Sequence, residues 1–363
     1  MTNKKLFESL QEIADIHQVE FEDILDVLKD SLEACAKHAL PEGEDASIRV
    51  EFNVDASEYH IYKERKVVET LSETLEEGEM PEITLEDAKA IKRTAKVGDV
   101  LVEEMNPKGD EFTRTVIRSV LSTFKSNLKN LERQKAYDYF KQYEDEMIEG
   151  RVTAKDDKKL VIALDMGVTT IIPVSELLPN DEFYVGDKIN VYVKQVEKTT
   201  KDPKIKVSRT NRNLITRLME EFIPEVKDGT IEIKGIARDA GSRCKIAVYS
   251  NNPNVDPIGS CVGPEGSRIR EIVKILNNEQ IDLYKWSDDP EELVAASLQP
   301  SKVTKVVNVD VKTKTCKAIV PDDQLSLAIG KNGQNVRLAV QSCGWNIDIK
   351  PSSESMEELG LGR

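Results

Sequence analysis

DPIGSCVGPEGSRIREIVKIL (residues 256–276) and DDQLSLAIGKNGQNVRLAVQS (residues 322–342) decide the fold, because they are one pattern written twice. An offset of 67 lays Gly330 on Gly263, Gly333 on Gly266 and Arg337 on Arg270; further along the offset falls to 66, aligning Ile347-Asp348 with Ile281-Asp282. A one-residue loop change between two copies of a domain accounts for the slip. The segments around each copy read alike. In the first, residues 211–222 and 267–277 carry helical periodicity, whereas 230–239, 243–250 and 280–286 alternate as strands. In the second, 291–298, 324–330 and 334–343 read as helices, and 302–311, 315–321 and 345–350 as strands. Each copy is therefore predicted to run α-β-β-α-α-β, with a Gly-x-x-Gly turn between its two central helices.

That order and turn resemble the prokaryotic (type II) KH domain. Glycines at such a turn let a ribose-phosphate strand approach the backbone, and the helix that follows aims its first N–H groups at phosphate. KH domains hold about four nucleotides in this way, with bases on an apolar groove beside the turn. The resemblance implies RNA contacts from Gly263, Pro264, Gly266, Ser267, Arg268 and Arg270 in the first copy. In the second it implies them from Gly330, Lys331, Asn332, Gly333, Gln334, Asn335 and Arg337. Lys331 adds charge, and Asn332, Gln334 and Asn335 add amide donors. The first turn departs from the usual pattern, with Pro264-Glu265 where a basic residue is common, so Arg268 and Arg270 must supply the positive field. Arg238 and Arg243, flanking the hairpin turn of that copy, are further candidates for reaching the RNA backbone.

Ahead of the repeat, residues 149–210 alternate polar and apolar positions in short runs, the pattern of a small β-barrel. Gly150-x-Val152, the Gly186-Asp187 turn before INVYVKQV and the closing Lys206-Val207-Ser208-Arg209 resemble an S1 domain, a member of the OB-fold group. Barrels of this kind stack bases on aromatic side chains. Only Phe183, Tyr184 and Tyr192 are aromatic between 146 and 211; Tyr192 alternates within a strand where it can be core, leaving Tyr184, with Lys155 for phosphate, as the candidates.

The front of the chain differs in charge. Net charge is −15, of which residues 1–145 carry −13 and the remainder only −2. An acidic front and a near-neutral back leave RNA binding to local clusters of positive charge. Two amphipathic segments open the chain, 48–69 reads as a hairpin, 77–105 is mixed, and 111–143 is a long helix. On that helix Arg114, Arg118, Lys125, Lys129 and Arg133 fall at spacings of 4, 7, 4 and 4, roughly one face. Spacing alone is equally that of a solvated face. Five cysteines, none closer than 17 residues to another, exclude a CxxC metal knuckle and argue against a disulfide framework. No metal is expected, the acidic Glu42-Gly43-Glu44-Asp45 run being read as solvated loop charge. No apolar run reaches the ~18–20 residues that cross a bilayer, and acidic residues stand where an export signal would be apolar, so a cytoplasmic protein is expected.

The resulting α+β chain has an N-terminal helical/β module (1–145), an S1 barrel (146–211), two KH domains (212–288 and 289–351) and a tail (352–363). This order, with VDPIGSCVG, VPDDQLSLAIGKNGQN and GWNIDIK, resembles the NusA family over essentially the whole sequence. The resemblance implies a regulator of transcription elongation, termination and antitermination without catalytic activity or cofactor. It further implies docking of the front module on the flap of RNA polymerase near the RNA exit channel, with nascent single-stranded RNA on S1-KH-KH. Other Nus factors and a ribosomal protein would be partners, the protein itself being monomeric. It also favours a path for exiting RNA along the basic helix face. The alternative is an RNA-binding accessory protein of translation or RNA processing. Phosphorolytic nucleases place KH before S1 behind two large catalytic domains, which this order does not match, and no GxxxxGK[ST] phosphate loop is present.

Overall fold

The computed structural model describes residues 3–40, 46–72, 79–105 and 114–354; the 42–45 acidic run and the tail beyond 354 lie outside them. The chain divides into two compact units, Met1–Lys135 and Ala136–Arg363.

The first unit opens with α1 (Asn3–His17) and α2 (Phe21–Ala39), followed by β1 (Ser47–Asn53), β2 (Glu58–Val68), β3 (Glu82–Thr84), α3 (Leu85–Ile91), β4 (Val100–Met105) and the start of α4 (Arg114–Lys141). The expected hairpin is β1–β2, and the mixed stretch resolves into β3, parallel to β2, then α3 and β4, antiparallel to β2. Apolar residues three and four apart on α1, α2 and α4 meet in one core of Phe7, Leu10, Ile24, Leu28, Val120, Phe124 and Leu128.

In the second unit β5 (Met147–Lys155), β6 (Lys159–Ala163), β7 (Thr169–Pro173), β8 (Lys188–Glu197) and β9 (Lys204–Ser208) form a sheet in the order β7-β6-β5-β8-β9. The Thr170 hydroxyl donates to the Ile205 carbonyl across the seam between the outer strands, so the sheet is nearly closed. Inward positions, among them Val152, Leu160, Ile162, Ile172, Val191 and Val207, fill the barrel, and Ala136 and Phe140 from the last turns of α4 join them.

The first KH copy comprises α5 (Asn213–Phe222), α6 (Pro224–Lys227), β10 (Ile231–Asp239), β11 (Arg243–Ser250), α7 (Pro257–Val262), α8 (Ser267–Ile275) and β12 (Gln280–Lys285). The second comprises α9 (Pro290–Ser297), β13 (Lys305–Asp310), β14 (Thr315–Val320), α10 (Leu325–Ile329), α11 (Gln334–Cys343) and β15 (Asn346–Pro351). In each sheet the first two strands are antiparallel and the last runs parallel to the middle one.

Buried contacts lock barrel to KH and KH to KH. Arg209, 1% exposed, donates from Nε and Nη2 to the two carboxylate oxygens of Asp181 at 2.7 and 2.9 Å. It also donates to the carbonyls of Asn190 in the barrel and Ile275 in the first KH copy, at 2.8 and 2.9 Å. Tyr192 is core, as its alternation allowed, but core of the junction: it packs with Leu178 among KH residues, and its hydroxyl donates to Asp145 and accepts from Asn213. Between the KH copies α11 lies on β10, and a Cβ on Gly235 would come within 1.9 Å of the Ser342 carbonyl oxygen, so only glycine permits this approach. Arg238 is corrected from the sequence reading. It is 2% exposed and bidentate on the fully buried Glu279, with both contacts at 2.8 Å, and so braces the hairpin instead of reaching RNA. All five cysteines are free and buried, and burial pushes the Cys261 thiol up to about 12, which makes it inert.

Removing one member of a buried ion pair strands the other. Asp181→Ala should therefore destabilise the second unit by about 3–5 kcal/mol, seen as a lowered urea midpoint. Lys194→Ala, which breaks an exposed pair with Glu176, should cost less than about 1 kcal/mol.

Candidate nucleic-acid interface

The two Gly-x-x-Gly turns have the same backbone. Gly263 and Gly330 have φ of +74° and +77°, Glu265 and Asn332 of +49° and +54°, and Gly266 and Gly333 of +75° and +71°. Four of these six positions are glycine and one is asparagine, which suit a left-handed conformation; Glu265 is the exception and bears strain there. Each turn delivers the chain directly into a helix, α8 at Ser267 and α11 at Gln334, whose first N–H groups are unpaired within the helix and carry its positive dipole end.

The side chains around the turns divide by role. Lys331 and Asn332 are exposed at the second turn, as are Pro264, Glu265 and Ser267 at the first. Arg268 and Asn335 occupy equivalent positions, and both turn inward. A Cβ on Gly263 would lie 2.7 Å from Arg268 Cγ, and one on Gly330 would lie 2.7 Å from Asn335 N. Arg268 donates to the Ser260 carbonyl and to Glu225, each at 2.7 Å. Asn335, 4% exposed, donates to the carbonyls of Ala328 and Leu298 at 3.0 and 3.1 Å. Both clasp the end of the preceding short helix beneath the turn, Asn335 buried and Arg268 half-buried. Gln334 and Arg337 are also engaged: the Gln334 amide donates to Asp239 and Ser242 of the first copy, and Arg337 donates to Asp239 at 2.9 Å. Arg270 folds back on the Glu265 carbonyl. Arg243 stands 3.4 Å from Asp282.

Beside the first turn, Ile258 and Val262 of α7, Ile269 of α8 and Ile281 and Leu283 of β12 line an open groove of about 1050 Å³, which continues past Asp282 to α9 and residues 299–303 of the second copy. Apolar walls of this kind suit base faces. On the barrel Tyr184 is 71% exposed with Lys155 Nζ 6.0 Å from its ring centroid, whereas Phe183 packs on the barrel core beneath Arg209. In the first unit Arg114, Arg118, Lys125 and Lys129 are exposed along α4, and Arg133 is half-buried and donates to Asn130. Ile117 and Leu121, exposed on the same helix, border this stripe. Among the described residues no group of three or more His, Cys, Asp or Glu is placed to hold a metal ion, and no helix is long and apolar enough to cross a membrane.

The roles missed in the sequence are those of Asp239 and Ser242, which receive the second copy, and of Arg268 and Asn335. The repeat offset that paired the glycines also pairs the last two, the one signal that could have shown a shared structural duty.

Family models match in the same order: NusA N-terminal domain at 5–134, S1 RNA binding domain at 141–208, NusA-like first KH domain at 209–286 and NusA-like second KH domain at 290–357. A transcription termination/antitermination protein NusA from Halalkalibacterium halodurans is 43% identical, over 87% of this chain and 80% of its own length. Its Bacillus subtilis counterpart is 41% identical over 87% and 82%. That of Thermus thermophilus is 33% identical over 99% and 93%. With the domain order, the paired turns and these relatives in agreement, the chain belongs to the NusA family of transcription termination/antitermination proteins.

Proposed function

We propose that this chain regulates transcript elongation, termination and antitermination as a non-catalytic, cofactor-free monomer in the cytoplasm. The module over 1–145 docks at the flap of RNA polymerase beside the RNA exit channel, and the S1 (146–211) and KH (212–288, 289–351) segments hold nascent single-stranded RNA. Other Nus factors and a ribosomal protein join it in antitermination complexes. The observation that carries this reading is the pair of left-handed glycine turns, equal in backbone and unequal in charge, within a unit whose domains are locked together. Tethering at the exit channel raises the local concentration of RNA, so a modest intrinsic affinity is enough. RNA would meet Lys331 and Asn332 at the second turn, the N-termini of α8 and α11, and Tyr184 with Lys155 on the barrel.

Replacing Lys331-Asn332 with Asp-Asp sets two carboxylates where phosphate lies. It should weaken single-stranded RNA binding by roughly 1–3 kcal/mol, the scale of charge-assisted hydrogen bonds, with the melting temperature unchanged because both side chains are exposed. Fluorescence anisotropy and a thermal melt check the two halves of this expectation. On α4, changing Arg114, Arg118 and Lys125 to Ala should shorten hairpin-stimulated pauses made by the cognate polymerase while copurification with polymerase persists. Unaltered pause lifetimes would return the stripe to a solvated face.

A further inference from the structure

The tip of the β10–β11 hairpin in the first KH copy brings a carboxylate to the second Gly-x-x-Gly turn. Asp239 ends β10, and its Oδ2 accepts from Gln334 Nε2 at 2.7 Å and from Arg337 Nη2 at 2.9 Å. Gln334 opens α11 directly after Gly333, and Arg337 follows three residues later on the same side of the helix. The carboxylate therefore lies beside the first turn of α11, where N–H groups without helical partners favour an anion. The first copy is built otherwise. Arg270, the counterpart of Arg337, bonds the Glu265 carbonyl of its own turn. Asp310, which ends β13 as Asp239 ends β10, accepts from the Lys312 and Thr313 N–H groups of its own hairpin.

The joint between the copies is also held by contacts that water does not reach. The Tyr284 hydroxyl donates to Ser342 Oγ at 2.9 Å, and the buried Lys245 ammonium donates to the Gln299 carbonyl at 2.7 Å. Arg337 and Asp239 are by contrast 52% and 42% exposed, and an ion pair so open to solvent contributes little to stability. We infer that Asp239 stands in for RNA phosphate at the second turn and sets the affinity of that turn, holding Gln334 and Arg337 until a phosphate displaces it. A phosphodiester carries the same charge as the carboxylate and accepts the same donors. Its binding is weakened by the internal contacts it must break and by repulsion from the carboxylate left behind. The second turn thus grips RNA less tightly than its own side chains allow.

This inference rests on the RNA-binding reading above, and the test separates them. The full chain is titrated, at a series of salt concentrations, into a fluorescein-labelled single-stranded RNA of random sequence. A length of about twelve nucleotides serves S1-KH-KH at about four for each domain. Asp239→Asn keeps the size and an acceptor oxygen but removes the charge. It should tighten binding by roughly three- to tenfold, within the net worth of one charge-assisted hydrogen bond. The slope of log K against log salt should steepen by up to about 0.7, one further phosphate contact. Asp239→Ser should reproduce both changes. In an Arg337→Ala background the gain should fall below about twofold, because the cation that Asp239 releases is then missing. Affinity and slope unchanged or reduced in either Asp239 variant of wild-type melting temperature would overturn the assignment alone. So would a gain of equal size in the Arg337→Ala background, the mark of a general charge effect. Early melting of both Asp239 variants would show that the pair holds the joint, and would overturn it as well. Failure of wild-type and variant chains alike to bind RNA would overturn it together with the RNA-binding reading.

Discussion

The buried pair between Arg209 and Asp181 is the contact on which the second unit depends. Two full charges removed from water are costly, and the cost is offset only where every hydrogen-bonding position is filled. Arg209 comes close to that condition: four of its five N–H groups bond a barrel carboxylate, a barrel carbonyl and a KH carbonyl together. Asp181 accepts in addition from Asn277 of the first KH copy and from the Leu178 N–H. The geometry can be satisfied only with barrel and KH docked, so the pair fixes a relative placement that apolar packing alone would leave free to slide. Gly235 and the Asp239 contacts extend the same rigidity to the second copy.

Rigidity matters because each KH turn offers little by itself. In the proposed RNA complex the backbone of the turn would approach phosphate, but the basic and amide side chains beside it are mostly engaged within the protein: Arg268 and Asn335 under the turns, Gln334 and Arg337 across the KH–KH joint. What remains exposed at the turns is unequal, with Lys331 and Asn332 at the second and a carboxylate at the first. Modest contacts on a pre-ordered track add without the entropic penalty of aligning the domains at each binding event. This is how a unit with a charge close to neutral can still hold a polyanion.

Much of this was legible in the sequence. The shift of 67 disclosed two KH copies, and period-2 runs bounded by Gly-Asp disclosed the barrel, because side-chain periodicity follows local geometry. Directions set by tertiary closure were not. Arg268 and Asn335 follow their turns as RNA ligands would, yet the left-handed glycines fold the chain back so that the residue five positions on lies beneath the first glycine. Read from the sequence, Arg238, Gln334 and Arg337 are free to meet RNA, because nothing local encodes Glu279 or Asp239 as their partners. Arg209 was visible only as the end of a barrel pattern, and its junction duty lies in carbonyls supplied by segments distant in sequence.

The central claim is that both glycine turns lie against the RNA backbone on one continuous track. The salt dependence of RNA affinity for Glu265→Arg, set against the wild-type chain, tests it most directly. If the first turn faces phosphate, reversing the charge there should tighten binding and steepen the slope of log K against log salt by up to about 0.7, one phosphate equivalent on a single strand. An unchanged affinity and slope would show that the first turn is a corner in the chain and not part of the RNA path.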